Sequence, residues 1–281
     1  MDHPRRSKTQ LFRQNMSYRE LKAIFDNPRV HTGAGYYRRR RVSAARGEPA
    51  PPAGADWRKR FYCSLPCTEM NRFALDAWKE LDVETFALGS HALVVVGAEG
   101  EAWWIGDVPR GLIKAIKRFQ AFTAVDYVAM GPDGSYFVQF CNGKRCWEGP
   151  ESLTEVLLHP PGETQLVELL AFAPDDGWYV MFQDGLSDWS DLPVGLHNLL
   201  KGRSGQMWLP EVDELSCGPC GEWFVRFMDG RIKVGGLESE VRAAMNLCRR
   251  QGRRIMGMQF GQDPEEGGWL IRHDGAKLVL V

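Results

Sequence analysis

Apolar and aromatic residues in this chain come in short runs parted by turn residues, and the runs recur in a fixed order. Tyr136-Phe-Val-Gln-Phe140, Trp178-Tyr-Val-Met-Phe182 and Trp223-Phe-Val-Arg-Phe227 each lead into an Asn-Gly or Asp-Gly pair. Leu93-Val-Val-Val96 and Trp269-Leu-Ile-Arg272 hold the same place in the first and last copies. β-branched and aromatic runs bounded by turn residues predict strands. Both faces of each run are largely apolar, so both are expected to be covered. An earlier strand ends in its own turn, Gly131-Pro-Asp-Gly134 or Ala173-Pro-Asp-Asp-Gly177, where Pro presets φ, Asp bonds locally and Gly takes positive φ. Cys217-Gly-Pro-Cys-Gly221 and Phe260-Gly-Gln-Asp-Pro264 fill the same slot.

A third strand should follow the hairpin. Four residues beyond the turn glycine stand Trp104, Trp147, Trp189, Val234 and Val279. A Gly or Pro break comes next, and then apolar residues at helical spacing: Leu112, Ile113, Ala115, Ile116 and Phe119 in one unit, Val241, Ala244, Met245 and Cys248 in another. Each unit therefore reads strand, strand, strand, short helix. The turn glycines Gly100, Gly143, Gly185, Gly230 and Gly275 lie 43, 42, 45 and 45 residues apart. A period in this range marks one supersecondary unit copied and packed against itself.

No such unit can bury its faces alone. Stacked about an axis, five of them make a β-propeller, and the predicted fold class is mainly β, a five-bladed propeller-like array with a short helix per repeat. A linear solenoid and a set of unrelated hairpins in an α+β domain are the alternatives. Over residues 83–281 the repeats resemble the five-bladed, tachylectin-like propellers, on period and pattern. The Gly-His and Trp-Asp marks of WD40 blades are absent from the repeats, and Asp188-Trp189 is in the reverse order.

The two ends of the array are complementary. Trp57–Leu65 reads as the third strand of a unit, and Met70, Phe73, Ala74, Ala77, Trp78 and Leu81 follow on one helical face. The last unit has strands to Val281 and no helix. Residues 57–65 are thus expected to pair beside the C-terminal unit, with Phe73, Ala77 and Trp78 over its base, closing the ring. Residues 1–55 form a separate arm, with a short helix expected over Ser17–Phe25 behind a capping box and a Pro/Gly-rich linker at 47–54; residues 56–281 form the repeat domain.

Charge changes this picture. Residues 1–50 carry 12 Lys/Arg against 4 Asp/Glu, and residues 51–281 carry 23 against 32. A basic arm precedes an acidic body. The block Arg38, Arg39, Arg40 and Arg41 is the arm's strongest feature, readable as an import signal, a contact to a nucleic acid or other polyanion, or a contact to an acidic surface of a partner or of the body itself. Arg249-Arg-Gln-Gly-Arg-Arg254 reads as a solvated helix end. The chain has 281 residues, 44% of them hydrophobic, with no apolar run of membrane-spanning length and no secretory signal pattern. Seven cysteines without such a signal predict reduced thiols and an intracellular setting, cytoplasmic or nuclear.

Catalytic signatures are weak. Cys217-Gly-Pro-Cys220 has thioredoxin spacing, but it occupies the Pro-turn slot and precedes a strand, not the helix that lowers a thiol's pKa. Zinc would need a second pair, and Cys63 with Cys67 is the one candidate. Cys141 and Cys146 flank a hairpin; read as a two-residue loop, it sets Cys146 opposite Gln139 and leaves the thiols unopposed. The six histidines, His3, His31, His91, His159, His197 and His273, have no metal-ligand spacing. No metal or cofactor is expected. Trp104, Trp147 and Trp189, at one position of three units, either pack between blades or present aromatic platforms to a ligand. The expected function is non-enzymatic: a binding scaffold acting on protein partners through propeller-face loops, with the arm as a further contact. A lectin with repeated Trp-lined sites is the alternative.

Overall fold

The computed structural model describes residues 61–64, 69–70, 72–74, 77, 83–204, 211–265, 268–274 and 279–280. The Arg38–Arg41 block, the expected arm helix and the linker lie outside them, as do Trp57, Trp78 and Leu81. The expected boundary between arm and repeat domain also falls there.

The strands form five antiparallel blades. β2 (Val83–Leu88), β3 (Ala92–Gly97) and β4 (Ala102–Gly106) make the first; β5 (Val125–Met130), β6 (Tyr136–Phe140) and β7 (Arg145–Glu148) the second. β8 (Val167–Phe172), β9 (Trp178–Phe182) and β10 (Ser187–Ser190) follow, then β11 (Val212–Cys217), β12 (Trp223–Phe227) and β13 (Ile232–Gly235). The fifth holds β14 (Ile255–Phe260), β15 (Trp269–His273), β1 (Phe61–Ser64) and β16 (Val279–Leu280), in the order β14-β15-β1-β16. Helices α2 (Arg110–Phe119), α3 (Glu151–Leu158), α4 (Val194–Ser204) and α5 (Ser239–Arg250) link one blade to the next; α1 comprises the helical residues at 69–70, 72–74 and 77. Pro109 and Pro150 hold the N-cap positions of α2 and α3, where a preset φ suits the entry and no N–H donor is required.

The array closes. Each first strand packs on the next, β2 on β5, β5 on β8, β8 on β11, β11 on β14, and β14 on β2 again. The Gln262 N–H donates to the Gly89 carbonyl at 3.2 Å across the final junction. The fold is therefore a five-bladed β-propeller-like ring, and the solenoid alternative is excluded. All five first strands shift register between their first and third residues, at Val83/Thr85, Val125/Tyr127, Val167/Leu169, Val212/Glu214 and Ile255/Gly257. A bulge at one place in every copy twists each blade alike, as stacking around an axis requires.

Closure differs from expectation in one respect. β1 does not lie beside the completed C-terminal unit but inside it, antiparallel to β15 (Tyr62 opposite Ile271) and parallel to β16 (Tyr62 opposite Val279). It takes the third-strand position, and Val279, expected there, is displaced to a fourth strand. The pattern of apolar residues could not order two candidate third strands, because both fit the same edge. After β1 the chain continues through α1 as every other third strand continues through its helix. Met70, Ala74 and Ala77 are buried with Phe86, Leu88, Leu93, Val95 and Leu270, and Phe73 packs partly against them. α1 thus covers the junction between the fifth and first blades.

The core lies between blades. Val94, Val128, Tyr136, Val138, Phe140, Leu112 and Ile116 join the first two blades and α2. Phe137, Leu169, Tyr179, Phe182, Val225, Leu157 and Leu196 belong to a cluster spanning blades two to four. The apolar stripes of the helices are buried as expected: Leu153, Leu157, Leu196, Leu200, Val241, Ala244, Met245 and Cys248 are all among the core residues.

Polar groups also bridge the blades. Gln139, fully buried, donates from Nε2 to Asp126 and to the Val167 carbonyl, and its Oε1 accepts from the Val167 N–H at 2.9 Å. The Tyr127 hydroxyl donates to the Leu170 carbonyl and accepts from the Leu170 N–H. Ser216 and Gln262 make corresponding bonds between the fourth and fifth blades, to the Met258 and Cys217 carbonyls. First strands of different blades do not pair with each other, so side chains satisfy the backbone groups that face the gaps.

Candidate interaction surface

The four described Gly-centred hairpins emerge from one face of the ring, because each joins the second and third strand of its blade. Gly100, Gly143, Gly185 and Gly230 have φ between 80° and 84° and donate to the carbonyl three residues earlier. Phe140 then pairs with Lys144, Phe182 with Leu186 and Phe227 with Arg231 through backbone bonds of 2.9 Å. This is a three-residue loop with the glycine in the left-handed region, not a two-residue loop. Asn142, Asp184 and Asp229 each accept the N–H two residues on, which explains the side chain before the glycine. The longer loop moves Cys146 opposite Val138, and neither Cys141 nor Cys146 is in a disulfide.

On this face the third and fourth blades expose apolar side chains. Leu158 at the end of α3, Leu186 in the Asp184-Gly185 hairpin and Met228 beside the Asp229-Gly230 hairpin are 54%, 46% and 56% exposed. The loops that carry them are neighbours. A Cβ at Gly162, just past α3, would meet Asp184 and Leu186; one at Gly185 would lie 3.2 Å from Glu211; and Met228 donates its N–H to the Glu211 carbonyl at 2.8 Å. Exposed carboxylates of Glu163, Asp184 and Glu211 stand on the same loops, and that of Asp229 is paired with Arg231. Apolar residues set among carboxylates are the composition of a docking surface for a basic segment.

A signal for this surface was present in the chain and carries weight only in three dimensions. The residue after the turn glycine is Glu101, Lys144, Leu186, Arg231 or Ala276, so Leu186 is the one large apolar side chain there. Nothing in the pattern places Leu158 and Met228 beside it.

The expected aromatic positions sit elsewhere. Trp104, Trp147 and Trp189 lie on third strands opposite Val94, Phe137 and Tyr179, half-buried against the inter-blade clusters. The Trp147 indole donates to Thr154 at 3.1 Å, and Trp189 stacks on Tyr179 with ring centres 6.3 Å apart. The structure spaces them one per blade and does not bring them into one site.

A cavity of about 10 Å³, room for one water, is lined by Tyr127, Ser216, Cys217, Gln259 and Gln262 among others. The Gln262 Oε1 is buried there without a hydrogen-bond partner.

Cys217-Gly-Pro-Cys220 forms the turn between β11 and β12, with the Gly218 N–H donating to the Glu222 carbonyl at 2.8 Å. Burial, and then the Glu222 carboxylate, push the Cys217 thiol up to about 12; burial raises that of Cys248 to about 11. Both are the reverse of an activated nucleophile. A pKa raised on folding stabilises the protein fully below the unfolded value and loses that contribution as pH climbs to the folded one. Stability should therefore fall above about pH 9, by up to ~1.4 kcal/mol per pH unit for each thiol. Urea melts at about pH 8 and about pH 10 should show a smaller alkaline loss in Cys217→Ala than in the parent; an equal loss would contradict the assignment. Cys67, the partner required for zinc at Cys63, lies outside the described residues, and among those residues no group of three or more His, Cys, Asp or Glu side chains is placed to hold a metal. No helix among them is long and apolar enough to cross a membrane.

No protein-family model matches the chain, and no curated protein matches it. Among solved structures, it is similar to human WBSCR16 with a TM-score of 0.36 at 14% identity, covering 67% of this chain and 57% of that one. It is similar to Prp20p of Saccharomyces cerevisiae, described with its binding to Gsp1p and histones, with a TM-score of 0.36 at 13% identity, covering 70% of this chain and 56% of that one. Virginiamycin B lyase of Staphylococcus aureus gives a TM-score of 0.23 at 8% identity over 63% of this chain and 59% of that one. The chain spans little more than half the length of the first two. These are propeller repeat proteins, and none marks a tachylectin-like subclass. At such scores the number of blades and the ring closure rest on the strand pairing described above.

Proposed function

We propose that this protein is a non-enzymatic binding scaffold that docks a basic segment of a protein partner on the hairpin face of its third and fourth blades. The observation carrying this reading is the exposure of Leu158, Leu186 and Met228 on neighbouring loops that also carry exposed carboxylates. The Arg38–Arg41 block is a second contact on this reading, directed at an acidic partner or polyanion and not at the stability of the ring.

The test compares capture by the full chain with capture by Leu186→Asp/Met228→Asp, followed by titration of each lost protein in purified form. Both positions are about half exposed, so the melting temperature should stay within a degree or two of the parent. The expected result is loss of a defined set of basic partners, with direct binding weakened at least tenfold. An unchanged set would sink the reading. The lectin alternative predicts the opposite: glycan binding lost in Trp104→Ala, Trp147→Ala and Trp189→Ala, each still stably folded.

A further inference from the structure

Several described cations of the repeat domain stand beside carboxylates. Arg226 pairs with Asp213, Arg231 with Asp229, Arg254 with Asp274 and Arg272 with Glu214. Arg110, Lys114, Lys117 and Arg118 on α2, with Lys144 on the neighbouring hairpin, have no carboxylate partner within 4.0 Å among the described residues. All five are exposed.

The sequence of α2, Arg-Gly-Leu-Ile-Lys-Ala-Ile-Lys-Arg-Phe, contains no acidic residue. Leu112, Ala115 and Ile116 face the core, which turns Arg110, Lys114 and Lys117 outward along one stripe about 10 Å long. Lys144 brings a further charge to the helix end. Its ammonium lies 4.9 Å from the centre of the Phe119 ring, and the Arg118 guanidinium 5.2 Å from the same centre. The ring attracts both cations but cannot neutralise their repulsion. Residues 51–281 carry 23 basic against 32 acidic side chains, so this patch runs against the charge of the body that bears it. Phe122 follows one turn later, its N–H donating to the Phe119 carbonyl at 2.8 Å, and its side chain is 83% exposed.

We propose that the outer face of α2, with Lys144 and Phe122, binds single-stranded nucleic acid. Lysines on a bare helix face are uncommon in protein–protein interface cores, where this side chain is depleted. Cations tracking a backbone beside a free aromatic face are what single strands use: phosphates meet the charges and a base stacks on the ring. The patch is one helix long, which suits a few nucleotides. It lies on the first and second blades and is separate from the loops on the third and fourth, so it stands whether or not the protein-docking reading holds.

The test is fluorescence anisotropy of the full chain with a short labelled oligothymidylate. Four phosphate contacts on a single strand predict that affinity falls about 50-fold from about 50 to about 200 mM salt. Lys114→Gln/Lys117→Gln/Lys144→Gln should make the slope of log affinity against log salt shallower by about 2. Phe122→Ala should weaken binding roughly tenfold with the slope unchanged. Replacing Arg38–Arg41 with Ala in both parent and triple variant controls for the arm, and the difference between them should persist. The proposal is overturned if the parent does not bind, if the triple variant matches it in affinity and slope, or if an acidic peptide of equal charge displaces the oligonucleotide as well as unlabelled oligothymidylate does.

Discussion

A chain lacking residues 1–81 should aggregate or melt without a cooperative transition, whereas one lacking residues 1–50 should melt as sharply as the parent. The reason is the position of β1. Its backbone pairs on both sides, with β15 over Phe61–Ser64 and with β16 over Tyr62–Cys63. Removing it leaves β15 with an open edge and detaches the last two residues described, and an open ring of five blades exposes the unpaired backbone that drives aggregation. Removing α1 with it uncovers Phe86, Leu88, Leu93 and Val95 at the junction of the first and fifth blades. A milder change tests the same joint. Tyr62→Pro removes a donor from a strand that is central in its sheet, and should cost about 3 kcal/mol or more. Circular dichroism with thermal and urea melts reads all three; a sharp transition in the chain beginning at Asp82 would show that the ring closes without its N-terminal strand.

Gln139→Leu should destabilise the ring by roughly 2–4 kcal/mol although leucine is close in size. Gln139 is fully buried and bonds both the N–H and the carbonyl of Val167 in the next blade, as well as Asp126 in its own. Leucine would leave two backbone groups buried and unpaired, and the cost of such orphans exceeds the net worth of the bonds themselves. Met181 holds the equivalent place in the third blade, so an apolar side chain fits the fold there, and the expected loss comes from the Val167 backbone groups left without Gln139. Guanidinium or urea melts at fixed pH give the number. A loss below about 0.5 kcal/mol would mean that water reaches Val167 and that the bridge is dispensable.

Much of the architecture can be read from the chain because each repeat states its own local chemistry. Asn142-Gly143 and Asp184-Gly185 form the same turn in two blades, the side chain bonding the N–H two residues on and the glycine taking the left-handed φ. Aromatic and β-branched runs form the second strands, and the stripes on α2 to α5 face the core. Period then implies stacking, because no three-stranded unit can cover both of its apolar faces. Complementary ends imply closure, and β1 and α1 occupy the last blade as the first blade's missing partners.

What the chain alone could not decide concerns groups distant in sequence. Both β1 and β16 satisfy the third-strand pattern, and their order in the fifth blade follows from which edge each can reach once the ring is formed. Leu158, Leu186 and Met228 are single apolar residues in three separate turns, and only the packing of α3's exit loop on one hairpin, and of that hairpin on Glu211, joins them. The cations of α2 look like an ordinary solvated face until Lys144 arrives over the same ring as Arg118 and no carboxylate comes with it. Local propensity and period act through neighbours in sequence, so they write the blades; surfaces and closure depend on which blades meet, and the ring geometry sets that.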